Sequence, residues 1–285
     1  VEKKEISGEQ RSFIQKEQQN ARVKLGLIAI AEKLMNSKQT EELNDLQRRT
    51  DRRFGDLAIE KGYLTEEQLN ELLKKQGNPF LQLVQILTDH ELFSMEQIEQ
   101  HLNAYRSAYR FSRAELEILK SGELDSIIPL FVKTDKSPAG DYLALAIRNV
   151  IRFIHNQPLV QQVQTGTEYE ADNLAYQELT GDHHLWLGFA GPGGSLLEIA
   201  SPFARETFTQ VDEDAFDAVC EFINCINGLF ATKQSHSNVK LEIMPPHCSR
   251  QQTLKAAGGF YLVPLVLNGQ SIDLIAVVDG PVDLI

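Results

Sequence analysis

Asp217-Ala218-Val219-Cys220-Glu221-Phe222-Ile223-Asn224-Cys225-Ile226-Asn227-Gly228 reads as a helix with two unlike sides. Phe216, Val219, Cys220, Ile223, Ile226 and Phe230 recur at helical spacing and, at about 100° per residue, fall along one stripe that packs inward. Asp217, Glu221, Asn224 and Gly228 gather on another face about 60° wide, well away from that stripe. A carboxylate, a carboxamide and a missing side chain thus point outward together. Glu can pair with a cation, Asn can donate and accept hydrogen bonds and so hold a water, and Gly lets a partner's backbone come close. Polar residues three apart on a helix are usually no more than a solvated face, so the downstream context decides between the two readings.

The helix runs into a polar stretch, Thr232 to Asn238, and then a strand, Val239 to Ile243, ending in Pro245-Pro246. Two more strands, Phe260 to Leu267 and Ile272 to Val278, are joined by an Asn268-Gly269 turn. This arrangement resembles the CheC/CheX family of chemotaxis phosphatases, whose signature is an acidic or Ser residue followed by Glu-x-x-Asn, with a Pro further on. Asp217, Glu221, Asn224 and Pro246 (or Pro245) stand in those places, and Gly228 matches the family's Gly after the Asn.

The resemblance spans residues 141 to 285 and implies dephosphorylation of a phosphoaspartate on a CheY-type response-regulator receiver domain. Glu221 and Asn224 are its catalytic candidates: Asn224 would orient the attacking water and Glu221 would engage the receiver's active-site Lys. Gly228 would allow close approach and Asp217 would sit at the edge of the contact. An acyl phosphate is reactive, so placing a water in line and tolerating charge is most of the task. The resemblance implies no cofactor belonging to this chain, with Mg2+ carried by the receiver, and pairing of two copies through their sheets. A receiver-docking module without catalysis is the other reading of the same face.

Composition sets the frame. A length of 285 residues predicts two domains, and 42% hydrophobic with 24% charged residues is ordinary for a globular protein. A net charge of −12 argues against nucleic acid as the main partner. Three cysteines, Cys220, Cys225 and Cys248, have no metal spacing and predict no disulfide framework. No apolar run is long enough for a membrane span and the first residues do not read as a signal peptide, so the expected location is cytoplasmic, with no membrane partner.

Residues 24 to 105 carry a repeat of pitch 29, with units at 24–47, 53–76 and 82–105. Their heads are Lys24-Leu25-Gly26, Arg53-Phe54-Gly55 and Gln82-Leu83-Val84. Ile28, Leu57 and Ile86 follow at equivalent positions, then the apolar pairs Leu34-Met35, Tyr63-Leu64 and Leu92-Phe93. After each pair stands a capping-box pattern: Asn36 with Gln39, Thr65 with Gln68, Ser94 with Gln97. Each unit is therefore predicted to be two short helices, stacked because neither buries its apolar side alone.

The middle unit is similar to the MshEN motif, which implies cyclic di-GMP as a ligand, held by Lys24 and Arg53 with Gln47 and Gln76. A structural or protein-binding module is the competing reading. The first unit has Lys33 where the motif has Gly, and the third lacks the Arg, both glycines and the Gln.

The predicted fold class is thus α+β: an all-α repeat module over 1–105, a connector helix and linker over 106–140, and a CheX-like α/β domain over 141–285 with an antiparallel sheet and two main helices. Residues 106 to 122 read as one helix closed by Gly122, and Leu143 to Ile154 as an amphipathic helix. In that helix Asn149 is preceded three residues earlier by Ala146, so a second Glu-x-x-Asn is not present. Strands are expected at Tyr169 to Gln177, His184 to Phe189 and Ser195 to Ser201, the last two joined by a hairpin at Gly191-Pro192-Gly193-Gly194. His183-His184 alternate across a strand and predict no metal site. Cys248 beside His247 is adjacent in sequence only and predicts no nucleophile.

Overall fold

The computed structural model describes residues 6–20, 23–50, 52–135 and 138–285. The chain divides into two compact units, Val1–Glu123 and Leu124–Ile285, with the division inside the span predicted as connector.

The first unit contains helices α1 (Gly8–Asn20), α2 (Leu25–Ala31), α3 (Ser37–Thr50), α4 (Phe54–Glu60), α5 (Glu66–Lys74), α6 (Pro79–Asp89), α7 (Met95–Ala108) and α8 (Arg113–Ser121). The three repeats are the pairs α2/α3, α4/α5 and α6/α7. Their equivalent residues Ile28, Leu57 and Ile86 are all buried.

Each second helix opens on a reciprocal capping box. Asn36 and Gln39 exchange side chain and backbone N–H at 2.9 Å in both directions. Thr65 with Gln68 does the same at 2.8 and 3.2 Å, and Ser94 with Gln97 at 2.8 and 3.2 Å. Each box satisfies two backbone donors that the helix start leaves open. Residues 106 to 122 are not one helix: α7 ends at Ala108, and a fourth box, Ser112 with Glu115, opens α8. The Ser112 cap oxygen inside that span was the local signal for the break.

The first helix of every repeat ends alike. Lys33, Gly62 and Glu91 take left-handed φ values of 57°, 70° and 53°. The residue after each returns its N–H to a helix carbonyl, Leu34 to Ala29, Tyr63 to Ala58 and Leu92 to Leu87, all at 2.9 Å. Glycine suits that position and the other two are strained there. Lys33→Gly is therefore expected to stabilise the first unit, by up to about 1 kcal/mol once glycine's extra unfolded-state freedom is deducted. A thermal melt should rise by a few degrees, and an unchanged or lower midpoint would contradict the assignment.

Head glycines act differently. A Cβ on Gly26 would lie 2.4 Å from Thr40 Cγ2, and one on Gly55 would lie 2.8 Å from both Leu69 methyls. These glycines let the two helices of a repeat approach, so their space is already filled by the protein's own side chains.

The second unit begins with α9 (Leu124–Phe131) and α10 (Ala139–Asn149), the latter prolonged by a single π turn, Val150–Ile154. Then follow β1 (Leu159–Val160), β2 (Gln164–Gly181), β3 (Leu185–Gly191), α11 (Leu197–Ala204), α12 (Glu213–Ser235), β4 (Leu241–Ile243), β5 (His247–Leu267), β6 (Gln270–Val278) and β7 (Val282–Leu284). Every pairing is antiparallel, in the order β1-β5-β6-β3-β2-β4, with β7 on β5. The long strands β2 and β5 also pair with each other, Gln164–Tyr176 against His247–Leu262. A register shift between Gly166 and Glu168 and a positive φ at Gly259 bend this ribbon.

One side of the sheet buries α10, α11 and α12 in a core that includes Tyr142, Phe189, Phe222 and Phe230. Trp186, Leu254, Phe260, Ile275 and Val277 form a separate cluster with Tyr169 and Tyr176.

Three expectations change here. Ser195 to Ser201 is not a strand, and Gly191 to Gly194 is not a hairpin but the turn from β3 into α11. Leu196, Ile199 and Ala200 are buried at helical spacing, and a short apolar run of this kind fits either period until a partner decides it. Here α12 is that partner. The strand that ends the chain's long ribbon is also longer than expected. β5 starts at His247 rather than Phe260: within 247–259 only Leu254 and Ala256 are buried, and the segment is held by backbone pairing to β2, with little apolar alternation to announce it.

Candidate functional site

Helix α12 is capped by Asp212, whose carboxylate accepts from the Ala215 N–H at 3.0 Å, with Glu213 and Asp214 in its first turn. Phe216, Val219, Cys220, Ile223, Ile226 and Phe230 are all buried, as the spacing predicts. The buried side is wider than that stripe. Ala218 and Phe222 are buried too, and the Phe222 ring packs against Phe203 of α11 and Phe189 of β3 at centroid distances of 5.3 and 5.7 Å.

Asp217, Glu221 and Asn224 are exposed on the opposite side. Gly228 is half-buried, and a Cβ built there meets nothing within 4 Å. The face is therefore open to an approaching backbone. Leu229, Ile243 and Met244, each 40–50% exposed, belong to α12, β4 and the residue just after β4.

Asn224 is exposed but not loose. Its Oδ1 accepts from Gln177 Nε2 at 2.9 Å, and the same Nε2 donates to the Met244 carbonyl at 2.8 Å. Gln177 Oε1 accepts from Asn227 Nδ2 at 2.8 Å, and Asn227 Oδ1 accepts from the Tyr142 hydroxyl at 2.5 Å. Burial pushes the Tyr142 hydroxyl well above its ordinary pKa, so it keeps its proton and donates. A continuous polar chain thus runs from the centre of the core, through two buried carboxamides, to the exposed Asn224.

Sequence reasoning missed Gln177, Asn227 and Tyr142. Signals were there. Asn227 falls on the apolar stripe of α12, not on the polar face. Gln177 alternates with Ala175 and Leu179, which face the core.

Asn149 is buried with its Nδ2 donating to the Leu145 carbonyl at 2.8 Å, so it offers no second surface amide. Burial pushes the Cys220 thiol up to about 12, which leaves it protonated and unreactive at neutral pH. His183 faces Asp279 at 3.0 Å and His184 faces Glu178 at 3.2 Å, two different carboxylates. Among the described residues, no group of three or more His, Cys, Asp or Glu could hold a metal, and no helix is long and apolar enough to cross a membrane.

In the first unit, Gln76 pairs with Val23, the residue before Lys24: Gln76 Nε2 donates to the Val23 carbonyl at 2.9 Å and the Val23 N–H donates to the Gln76 carbonyl at 3.3 Å. The Lys24 ammonium is held by Asp89 at 2.7 Å. Arg53 and Gln47 are exposed, Arg53 at the head of α4 and Gln47 in α3. A nucleotide phosphate at Lys24 would compete with that carboxylate.

A family profile described as "Chemotaxis phosphatase CheX" matches residues 174–259, a stretch that contains Gln177, all of α12 and Met244. No curated protein matches the chain. Among solved structures, the chain is similar to a chemotaxis protein CheX from Desulfovibrio desulfuricans, at 14% identity over 48% of this chain and 95% of that one, with a TM-score of 0.42. A chemotaxis protein CheX from Vibrio vulnificus shows 15% identity over 48% and 95%, with a TM-score of 0.41. The CheX–CheY–BeF3–Mg2+ complex from Borrelia burgdorferi shows 18% identity over 48% and 94%, with a TM-score of 0.35.

Proposed function

We propose that the second unit dephosphorylates an aspartyl phosphate on a CheY-type response-regulator receiver. The observation that carries this reading is the exposed Asn224 amide, fixed from beneath by Gln177, beside the exposed Glu221 and the open surface at Gly228. The CheX profile over the same residues supports it. Water would attack phosphorus in line; the new P–O bond forms as the bond to the aspartyl oxygen breaks. The products are inorganic phosphate and a free aspartate carboxylate, and the water's proton passes to phosphate or solvent. With one Oδ1 lone pair on Gln177, Asn224 keeps a second lone pair and its Nδ2 to hold that water. Mg2+ would belong to the receiver; the Borrelia burgdorferi complex holds CheX, CheY, BeF3 and Mg2+ together.

Glu221 would reach a cation on the receiver. Glu221→Ala is expected to raise KM for the phosphorylated receiver about tenfold and to lower the rate as well, because the ion pair forms only on docking. Glu221→Gln keeps the shape without the charge and should fall between the parent and Glu221→Ala. Steady-state kinetics with varied receiver concentration checks this, and equal KM values for all three would remove Glu221 from the interface. The overall reading is tested by following the decay of a panel of phosphorylated receivers with and without the protein. Faster decay of at least one is expected, and no acceleration of any would leave a docking module in its place.

A further inference from the structure

We propose that Gln177 is a positioning residue: it sets which way round the Asn224 amide stands and holds it there for the reaction. The inference rests on the phosphatase reading for its consequence, but its geometry stands independently.

Gln177 Nε2 lies 2.8 Å from the Met244 carbonyl oxygen, and a carbonyl has no proton to give. The Gln177 amide must therefore present its NH2 to Met244, since turning it over would set two acceptors against each other in a buried site. With its NH2 on that side, Gln177 meets Asn224 as a donor, at 2.9 Å. Asn224 must answer with Oδ1, so its Nδ2 points away from the core. The other end of Gln177 agrees. Oε1 accepts from Asn227 Nδ2, and Asn227 Oδ1 accepts from a tyrosine hydroxyl that burial keeps protonated. One sense of donation runs along the whole chain, and reversing any link leaves a buried mismatch.

The Met244 carbonyl is itself fixed. The Met244 N–H donates to the Glu178 carbonyl at 3.0 Å, which ties this residue to β2 beside Gln177. Pro245 follows, and a residue before proline is held in extended backbone. The Pro245-Pro246 pair thus acquires a role in the site. It stops β4 and turns the Met244 carbonyl onto Gln177, so a strand end, a strand interior and a helix face meet at a single amide.

An exposed Asn without this support would flip and rotate freely, and holding a reacting water needs one orientation. The cost of losing Gln177 should therefore fall on the chemical step and not on docking.

The test compares Gln177→Met, which keeps length and volume but has no donor, with Asn224→Ala and the parent. Two readouts are taken. In 15N spectra, the side-chain NH2 pair of Asn224, assigned by its loss in Asn224→Ala, should be ordered in the parent and mobile in Gln177→Met. In kinetics with a phosphorylated receiver, Gln177→Met should lower kcat about tenfold or more with KM within about twofold. Gln177→Glu provides a second variant if Gln177→Met does not fold. Its carboxyl can donate one hydrogen bond only while protonated, so its rate relative to the parent should rise as pH falls. An Asn224 NH2 pair as ordered in Gln177→Met as in the parent, or an unchanged kcat for Gln177→Met where Asn224→Ala is slow, would overturn the proposal and leave the phosphatase reading intact. If Asn224→Ala itself is as fast as the parent, the phosphatase reading fails, and with it any catalytic role for Gln177.

Discussion

Replacing Asn224 with alanine is expected to lower receiver dephosphorylation by on the order of 10²-fold or more, as removal of a single preorganised hydrogen-bonding group from a reaction site does. The fold should survive. Asn224 is exposed, so truncation opens no core cavity, and its inward bond to Gln177 Nε2 is partly replaced because that donor still reaches the Met244 carbonyl. Melting temperature should move by no more than a few degrees. Docking should survive too, because Glu221, Gly228 and the exposed Leu229 and Met244 remain. A variant that binds, folds and does not dephosphorylate separates a catalytic amide from a solvated helix face.

Phe222→Ala should do the opposite. Phe222 is fully buried and its ring sits between Phe189 of the sheet and Phe203 of α11. Truncating a buried phenylalanine removes its transfer free energy and leaves a void that rigid neighbours fill poorly, about 3–5 kcal/mol. For a unit of this size that corresponds to a fall in melting temperature of roughly 10 °C or more. α12 would lose its seat against α11 and β3, and any activity lost would follow the unfolded fraction. Circular dichroism melts read this directly. A fall of under about 3 °C would mean that the core around α12 collapses onto the space, contrary to the tight packing described above.

The polar face of α12 and the inward stripe were legible because a single helix with 3.6-residue periodicity carries them, and nothing distant can alter which residues share a side. The repeats were legible for a related reason. Capping boxes are local, and the pitch of 29 repeats their signal three times. The capping boxes at Asn36, Thr65 and Ser94 follow from four-residue patterns alone.

Long-range partnership decided what was not legible. Ser195 to Ser201 became a helix because α12 offers it an apolar side, and the first half of β5 became a strand because β2 offers it backbone partners. The Tyr142–Asn227–Gln177–Asn224 chain joins four residues spread over 85 positions. Asn227 on the stripe and Gln177 on the inward alternation each announced a buried amide, but no local pattern says that two such amides meet. The packing against the glycines of the repeat heads is a partnership of the same kind. In the structure Thr40 and Leu69 occupy the space beside them.

The most direct test of the account is single-turnover decay of a phosphorylated receiver with parent or Asn224→Ala protein in saturating excess, with complex formation confirmed by co-sedimentation. Rapid loss of phosphate is expected with the parent, and with Asn224→Ala a bound receiver whose phosphate decays at close to its spontaneous rate. Equal decay with both proteins would contradict it.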